Sequence, residues 1–443
     1  MQVVADLHLH SKYSRAVSKD MVLPIMAEWG QKKGIDLLGT ADWTHPLWFK
    51  ELETQLEEDE EGIFKVKGDE SKTRFVLSCE IANIYSQGGQ GRRIHTVFLA
   101  PSLEAVNKIN AGLKRRGGNL MSDGRPILGL TVPEMCEIVW GVDERVIVVP
   151  AHIWTPWFSM FGSKSGFDSV EECFGKYADR ITAIETGLSS NPVMNWQIKD
   201  LEKRSIVSFS DAHSPKKMGR EVTVFELEGE KISFKDIGDA FKRDEKGKCR
   251  IAYTVEFHPE EGKYHYTGHR NCGVRQSPEE TRKKGTTCHV CGKALTVGVM
   301  HRVEELAEAK EDLKAKEKRS EVEVVGYYHP EDKTRPPYVM LVPLHEIIAE
   351  VSGVGVNSKR VTELYEQMIA SLGTELDVLL KTKLEEISRV AGERMAEAVG
   401  KVRSGKIVVE PGYDGVFGEV KIWSKKSEGV QAGKGVTEQQ TLF

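Results

Sequence analysis

The sequence lacks what would carry it into or across a membrane. No apolar run in its 443 residues approaches the roughly 18 needed for a transmembrane helix. The opening stretch MQVVADLHLH has no basic segment leading into an apolar one, so a signal peptide is not expected. Cysteine is scarce: seven residues in this length exclude a disulfide-stapled scaffold and fit a reduced, cytoplasmic protein. An excess of one charge is also missing, because 62 Lys and Arg stand against 67 Asp and Glu, a formal net charge of −5. Coating nucleic acid by bulk positive charge is thereby excluded, and any DNA contact must come from local basic patches. What is there, 40% hydrophobic and 29% charged residues, is an ordinary globular balance that excludes intrinsic disorder and collagen-like repeats. At roughly 150 residues per domain the length suggests about three domains. No internal repeat is visible.

Residues 1–235 alternate short β-branched runs with amphipathic stretches. The runs fall at 3–5, 37–39, 75–77, 96–98, 146–149, 181–184 and 206–209, with helix-like segments such as 23–33 and 132–139 between them. Strands alternating with helices imply parallel βα units, and about seven of them suggest an α/β fold built as a barrel or barrel-like sheet. A segment dense in Gly, His, Cys and Thr occupies 250–300, a Glu/Lys-rich stretch expected as a solvated helix or linker occupies 301–342, and helical spacing returns over 343–424. Residues 425–443 are rich in Lys, Gly, Ser and Gln and read as a flexible tail.

Histidines and carboxylates recur beside the expected strands. Asp6, His8 and His10 follow the first, Asp42 and His45 the second, and Glu80 the third. His95 opens the fourth, His152 follows the fifth, Glu185 the sixth, and Asp211 and His213 the seventh. Strand C-termini form the active-site face of αβ barrels. In His8-Leu9-His10, residues i and i+2 of an extended chain point to one side, so both imidazoles can reach one ion. Mixed nitrogen and oxygen donors suit zinc, manganese or iron better than calcium. About eight ligands are too many for one ion, so two or three divalent metals are expected, able to activate water and stabilise an in-line phosphoryl displacement. Any single histidine is more often an ordinary hydrogen-bonded residue; the constellation reverses that for His8, His10, His152, Asp211 and His213, and extends to Asp42, Glu80 and His95. His45 and Glu185 stand evenly between ligand and bystander.

The stretches DLHLHS, GTADWTH, CEI, PAHI and SDAHS resemble the polymerase-and-histidinol-phosphatase superfamily of metal phosphoesterases. The resemblance covers roughly the first 215 residues and implies a distorted seven-stranded βα barrel with a trinuclear metal site. Two departures stand out: Ser14-Arg15-Ala16 replaces the usual Ser-Asp-Gly, and Ala41-Asp42-Trp43 replaces Thr-Asp-His. One or two usual ligands are therefore absent. His45 can substitute for one, and Arg15 can instead meet a substrate phosphate.

A second metal site follows from spacing. His269 and Cys272, then Cys288 and Cys291, form two pairs with two residues inside each and Gly273 and Gly292 just after. This is zinc-ribbon spacing for a structural Zn²⁺. A redox Cys-x-x-Cys is the alternative, but a partner pair exists and no βα pattern adjoins it. His265 and His289 lie close enough to compete as ligands.

Several features point toward DNA. Residues 351–359, VSGVGVNSK, resemble a helix–hairpin–helix in which Gly353 and Gly355 let backbone N–H groups approach a phosphate and Lys359 opens the next helix. Arg92, Arg93, Lys114, Arg115 and Arg116 form basic clusters that serve equally as solvated surface. Trp154 and Trp157, beside His152, can stack an extruded base or form a hydrophobic lid. Gln439, Leu442 and Phe443 in the terminal QQTLF resemble the short peptide by which bacterial repair and replication proteins dock on a sliding clamp.

Taken in order, barrel, ribbon, helical region and clamp-like tail resemble the endonuclease Q family of DNA repair nucleases, found in archaea and some bacteria. The resemblance implies metal-dependent incision 5′ of uracil, hypoxanthine, xanthine or an abasic site, in single- or double-stranded DNA, leaving a 3′-hydroxyl and a 5′-phosphate. It implies His8, His10, Asp42, Glu80, His95, His152, Asp211 and His213 as ligands of Zn²⁺, Mg²⁺ or Mn²⁺, with His8, Asp42, Asp211 and His213 closest to the chemistry. It also implies a cytoplasmic enzyme working at the nucleoid. A small-molecule phosphatase, a 3′-to-5′ exonuclease and a non-catalytic DNA-binding adaptor are the rival readings.

Overall fold

The structure, a computed structural model, describes residues 1–307 and 313–424. The clamp-like ending, Gln439, Leu442 and Phe443, lies outside the described residues.

All seven expected runs are strands: Gln2–Asp6, Leu37–Gly39, Arg74–Gln87, Gln90–Ala100, Ile147–Pro150, Ala183–Glu185 and Ser205–Val207, hereafter strands one to seven. Strands one, two and three pair in parallel. Strand four, by contrast, turns straight back on strand three as a long antiparallel hairpin, and strand five is antiparallel to four. A run of purely parallel βα units is therefore not what forms. The cause is local: Gly88 and Gly89 both have positive φ (62° and 75°), the geometry of a two-residue hairpin turn that no crossover helix can replace. Strands six and seven pair in parallel with each other. Single backbone contacts join this pair to the rest: Ile153 N–H donates to Glu185 O at 3.2 Å, and His10 N–H donates to Ala212 O at 3.1 Å. Helices Leu23–Lys33 and Val132–Val142 lie where the periodicity placed them.

Beyond strand one the sheet continues through Val222–Leu227 and Cys249–Glu256 into Tyr338–Met340, making a mixed sheet of 13 strands. The residues at 249–256 thus belong to this sheet rather than to the metal-binding segment after it. The charged stretch opens as the helix Val299–Leu306, but its later part is sheet: Lys316–Arg319 pairs antiparallel with Val325–Tyr328, which pairs with Tyr338–Met340. Val324 and Val325 are buried and Tyr327 stacks on Tyr338, so an alternating strand pattern sits inside the run of charges.

Strand side chains such as Val3, Ala5, Val76, Val97, Val149, Ala183 and Val207 pack into one core. A second core joins Val222, Val224 and Val255 of the sheet to the helices Leu344–Ser352, Lys359–Leu372, Glu375–Leu380, Leu384–Ala391 and Glu393–Arg403. The helical region is therefore docked on the sheet. Lys33 and Glu375 form an ion pair at 2.7 Å across that contact. Among the described residues no helix is long and apolar enough to cross a membrane.

Candidate active site

Three residues that directly follow strands two, five and seven carry left-handed backbone: Asp42 (φ 43°), His152 (φ 31°) and Asp211 (φ 47°). Each such non-glycine residue costs roughly 1–2 kcal/mol, and strain of this kind collects at functional sites. It turns the three side chains toward His8 and His10 at the end of strand one.

The ligand atoms fall into two groups, His8 with His10 and Asp211, and Glu80 with His95 and His152, each within 4.8 Å. Glu80 joins them. Its Oε1 lies 2.7 Å from His95 Nδ1, 3.1 Å from His152 Nε2 and 3.7 Å from His8 Nε2, while Oε2 lies 3.3 Å from His10 Nε2. His8 Nε2, His10 Nε2 and Asp211 Oδ1 are buried; His10 Nε2 lies 3.1 Å from Asp211 Oδ1, and none of the three completes a well-aligned hydrogen bond. Each would cost roughly 1–3 kcal/mol left so. Three unsatisfied donor atoms converging beside a shared carboxylate fit divalent cations.

Two further carboxylates hold the histidines from behind. Glu185 Oε1 and Oε2 lie 2.9 and 3.0 Å from His8 Nδ1, and Oε2 accepts the backbone N–H of His152 at 2.9 Å. Asp42 Oδ1 lies 3.2 Å from His10 Nδ1, and its Oδ2 accepts from Ser11 N, Ser11 Oγ and Ser14 Oγ at 2.7–2.8 Å. Such bonds fix the tautomer and aim the other ring nitrogen at a metal. Asp42, expected as a ligand, thus stands outside both groups because its lone pairs are taken. His45 stands outside as well, stacked on Tyr13 at 4.4 Å. His213 flanks the first group, its ring 4.7 Å from that of His10 and its Nδ1 2.9 Å from Asp211 O.

The electrostatics follow from the packing. Burial pushes His8 and His10 down, but Glu185 and Glu80 around the first, and Asp211, Asp42 and Glu80 around the second, outweigh it and hold both well above the usual histidine range. Against burial, His95 and Arg125 hold the Glu80 carboxyl well down, and His10 and His8 do the same for Asp211. At His95 burial wins, bringing it to about 4.

Arg125 was not visible from sequence. Its Nη1 lies 2.9 Å from Glu80 Oε2. The loop that carries it is tied down where Gly124 N–H donates to Tyr13 O at 3.0 Å and Thr44 Oγ1 donates to Gly124 O at 3.1 Å. A side chain at position 124 would collide with Asp42 and Ser14. That glycine, followed by Arg125-Pro126, was the one available signal.

The second expected metal site assembles as well. His269, Cys272, Cys288 and Cys291 form one group, with Cys291 Sγ 3.4 Å from His269 Nδ1. Gly273 and Gly292, at φ 64° and 74°, make the turns after each pair. Burial raises the Cys288 thiol, but backbone N–H groups of Cys291 and Val290 and the side chain of His269 bring it down to about 6, which favours the thiolate that binds metal. His265 and His289 are not in the group.

The expected DNA contacts divide. Trp154 is buried against Phe161 and donates from Nε1 to Asn195, so it is a core residue and not a free stacking surface. Trp157 is partly exposed, edge-on to Tyr264 at 5.6 Å. Arg92 sits over Phe167 and bonds Gly166 O; Arg93, Lys114, Arg115 and Arg116 are exposed. Arg15 is exposed and pairs with Asp123 at 3.3 Å. Gly353 caps Leu344–Ser352 in the left-handed region, Ser358 caps the helix opened by Lys359, and a side chain added at position 353 or 355 would meet nothing.

The chain is similar over most of its length to known proteins. Residues 343–406 match the MJ0043 C-terminal domain family. The Methanocaldococcus jannaschii protein MJ0043 is 33% identical over 279 residues, 62% of this chain; the match spans only 32% of that longer protein. The structure superposes with a TM-score of 0.80 on the lesion-specific endonuclease PfuEndoQ from Pyrococcus furiosus, at 33% identity over 97% of this chain and 98% of that one. Endonuclease Q in complex with a 27-mer duplex carrying an abasic lesion at the active site gives a TM-score of 0.81 at 33% identity, over 97% and 99% of the two chains.

Proposed function

The chain belongs to the endonuclease Q family and is a metal-dependent DNA endonuclease; from that premise we propose that it incises the phosphodiester 5′ of a deaminated base or abasic site. One observation carries the reading most: the bare His8 Nε2, His10 Nε2 and Asp211 Oδ1, facing Glu80, His95 and His152.

On this reading His8, His10 and Asp211 hold one divalent ion and Glu80, His95 and His152 a second, within a distorted barrel formed by strands one to seven. When bound, the ions supply a nucleophilic hydroxide at neutral pH and stabilise charge on the reacting phosphate. Glu185 and Asp42 keep His8 and His10 in the tautomer that presents Nε2. His213, whose Nδ1 faces Asp211 O, presents its Nε2 toward the leaving group. Water oxygen bonds phosphorus, the bond from phosphorus to the 3′ oxygen breaks with its electron pair, and that oxygen takes a proton, giving a 3′-hydroxyl and a 5′-phosphate.

The His269–Cys291 group is read as a structural Zn²⁺ ribbon, and the Gly353–Lys359 turn as a backbone-phosphate contact on the duplex. Trp157 borders the space where an extruded base would sit. The Gln439, Leu442 and Phe443 peptide is read as a sliding-clamp tether. The substrate places the work at the nucleoid, in the cytoplasm.

Labelled duplexes with one deoxyuridine, deoxyinosine or abasic site, with Mg²⁺ or Mn²⁺, test this. The expected product is a single cut immediately 5′ of the lesion, absent from undamaged duplex and from Asp211→Ala. Laddered 3′ shortening regardless of lesion, or no cleavage with any metal, overturns the reading.

A further inference from the structure

The two ligand groups account for five residues around Glu80, but Glu80 has a further neighbour. Arg125 Nη1 bonds Oε2, the oxygen that also faces His10. We propose that Arg125 is a catalytic residue of this site, contacting a non-bridging oxygen of the phosphodiester under attack and stabilising the charge that accumulates there. The inference deepens the endonuclease reading and rests on it for the identity of the natural substrate.

Three observations converge on this residue. First, its position is fixed. Asp123 Oδ1 accepts the Arg125 backbone N–H at 3.1 Å and that of Arg15 at 3.3 Å, and Gly124 is bonded to Tyr13 and Thr44. Second, its guanidinium is only partly used. A guanidinium has five N–H donors in a rigid fork, and its side chain is 28% exposed while Glu80 is wholly buried. One edge can hold Glu80 while another meets an incoming oxyanion, a division a lysine ammonium performs poorly.

Third, three neighbouring cations are otherwise engaged. Arg220 donates to the carbonyls of Ser210 and Asp211, Lys12 pairs with Glu51, and Arg15 lies out on the rim with Asp123. A fixed guanidinium beside the two ligand groups adds positive charge where the phosphate would sit. Phosphoryl transfer depends chiefly on such prepositioned charge, and one well-placed donor changes the rate by about 10²–10³-fold.

The alternative role for Arg125 is to neutralise Glu80 and keep the metal groups in shape. The test uses metal-loaded full-length protein, comparing wild type, Arg125→Gln and Arg125→Lys. Metals per chain are counted by mass spectrometry, inorganic phosphate affinity is measured by calorimetry, and hydrolysis is followed with bis(4-nitrophenyl) phosphate. Expected are unchanged metal content in both variants, phosphate binding at least about 10-fold weaker in Arg125→Gln with Arg125→Lys between, and hydrolysis slower by about 10²–10³-fold. Equal phosphate affinity in wild type and Arg125→Gln, no phosphate binding by wild type, or loss of barrel metal from both variants overturns the proposal. Because both probes lack a base lesion, failure of lesion-specific cutting strikes the endonuclease reading, and failure here strikes Arg125.

Discussion

Glu185 links two histidines of different metal-binding groups: its carboxylate lies 2.9 and 3.0 Å from His8 Nδ1 and accepts the His152 backbone N–H at 2.9 Å. Neither contact uses an atom that would hold a metal if His8 binds through Nε2. Replacing Glu185 with Gln keeps the shape but lets the amide donate where only acceptance fits. Loss of such a partner typically weakens metal binding by about 10–100-fold. Titration of the apo-protein with Zn²⁺ or Mn²⁺ against a competing chelator should show that drop in the barrel, with the His269–Cys291 site unchanged. Unaltered barrel affinity would mean that Glu185 serves packing alone.

How much of this was legible beforehand depended on whether the signal was local. The β-branched runs located strands one to seven, and His8-Leu9-His10 announced a metal because two-residue periodicity is a property of the chain itself. Asp42 was placed in the right cluster, but residue type does not reveal that Ser11, Ser14 and His10 engage its oxygens. Trp154 and Trp157 looked alike in sequence and part company only through burial. Gly88-Gly89 was a readable hairpin signal, overridden by the expectation of parallel units. Arg125 had no periodicity, pairing or spacing to mark it, because its partner Glu80 lies 45 residues away.

The grouping of His269, Cys272, Cys288 and Cys291, with the Cys288 thiol brought down to about 6, makes a testable second metal site. Asp414 ties the strand pair Val408–Glu410 and Glu419–Lys421 to it, accepting from Arg270 N–H at 2.7 Å and Thr296 Oγ1 at 2.6 Å. Cys288→Ser should therefore lose one zinc per chain and raise hydrogen exchange in both 264–298 and 408–421. Structural zinc contributes folding free energy directly, so chelation of the wild type should reproduce the pattern. Exchange confined to 286–292 would show that the hairpin stands without the metal.

Lys33 and Glu375, 2% and 5% exposed, pair at 2.7 Å where the helix Leu23–Lys33 meets the helical region. Removing one partner strands a buried charge, which typically costs about 3–5 kcal/mol. Lys33→Met should show that loss in urea unfolding. Lys33→Met with Glu375→Gln should recover most of it, because the unpaired charge is gone while the amide oxygen still accepts the Leu344 N–H. Two single variants with losses below about 1 kcal/mol would place the pair in the exposed class.

A buried pair of acids behind Glu185 contributes to the pH dependence of stability. Burial, reinforced by neighbouring carboxylates, raises Glu221 well above its usual range and Glu256 to about 7, despite the Ser208 and Thr254 hydroxyls that donate to Glu256 Oε1. Oε2 of each lacks a partner, so the neutral form is the one the fold accommodates. With the folded pKa above the unfolded one, the folded state holds more protons between them. That contribution is complete below about pH 4.5 and is lost as pH rises through about 7. Glu256→Gln removes this residue's share, since an amide does not ionise. The melting temperature of the variant should therefore fall less than that of wild type between pH 5.5 and 8.5, and exceed it by a few degrees at the upper end. Calorimetric scans across that window, with the barrel metal kept saturating, give the comparison; parallel curves would mean that Glu256 is already ionised in the folded protein.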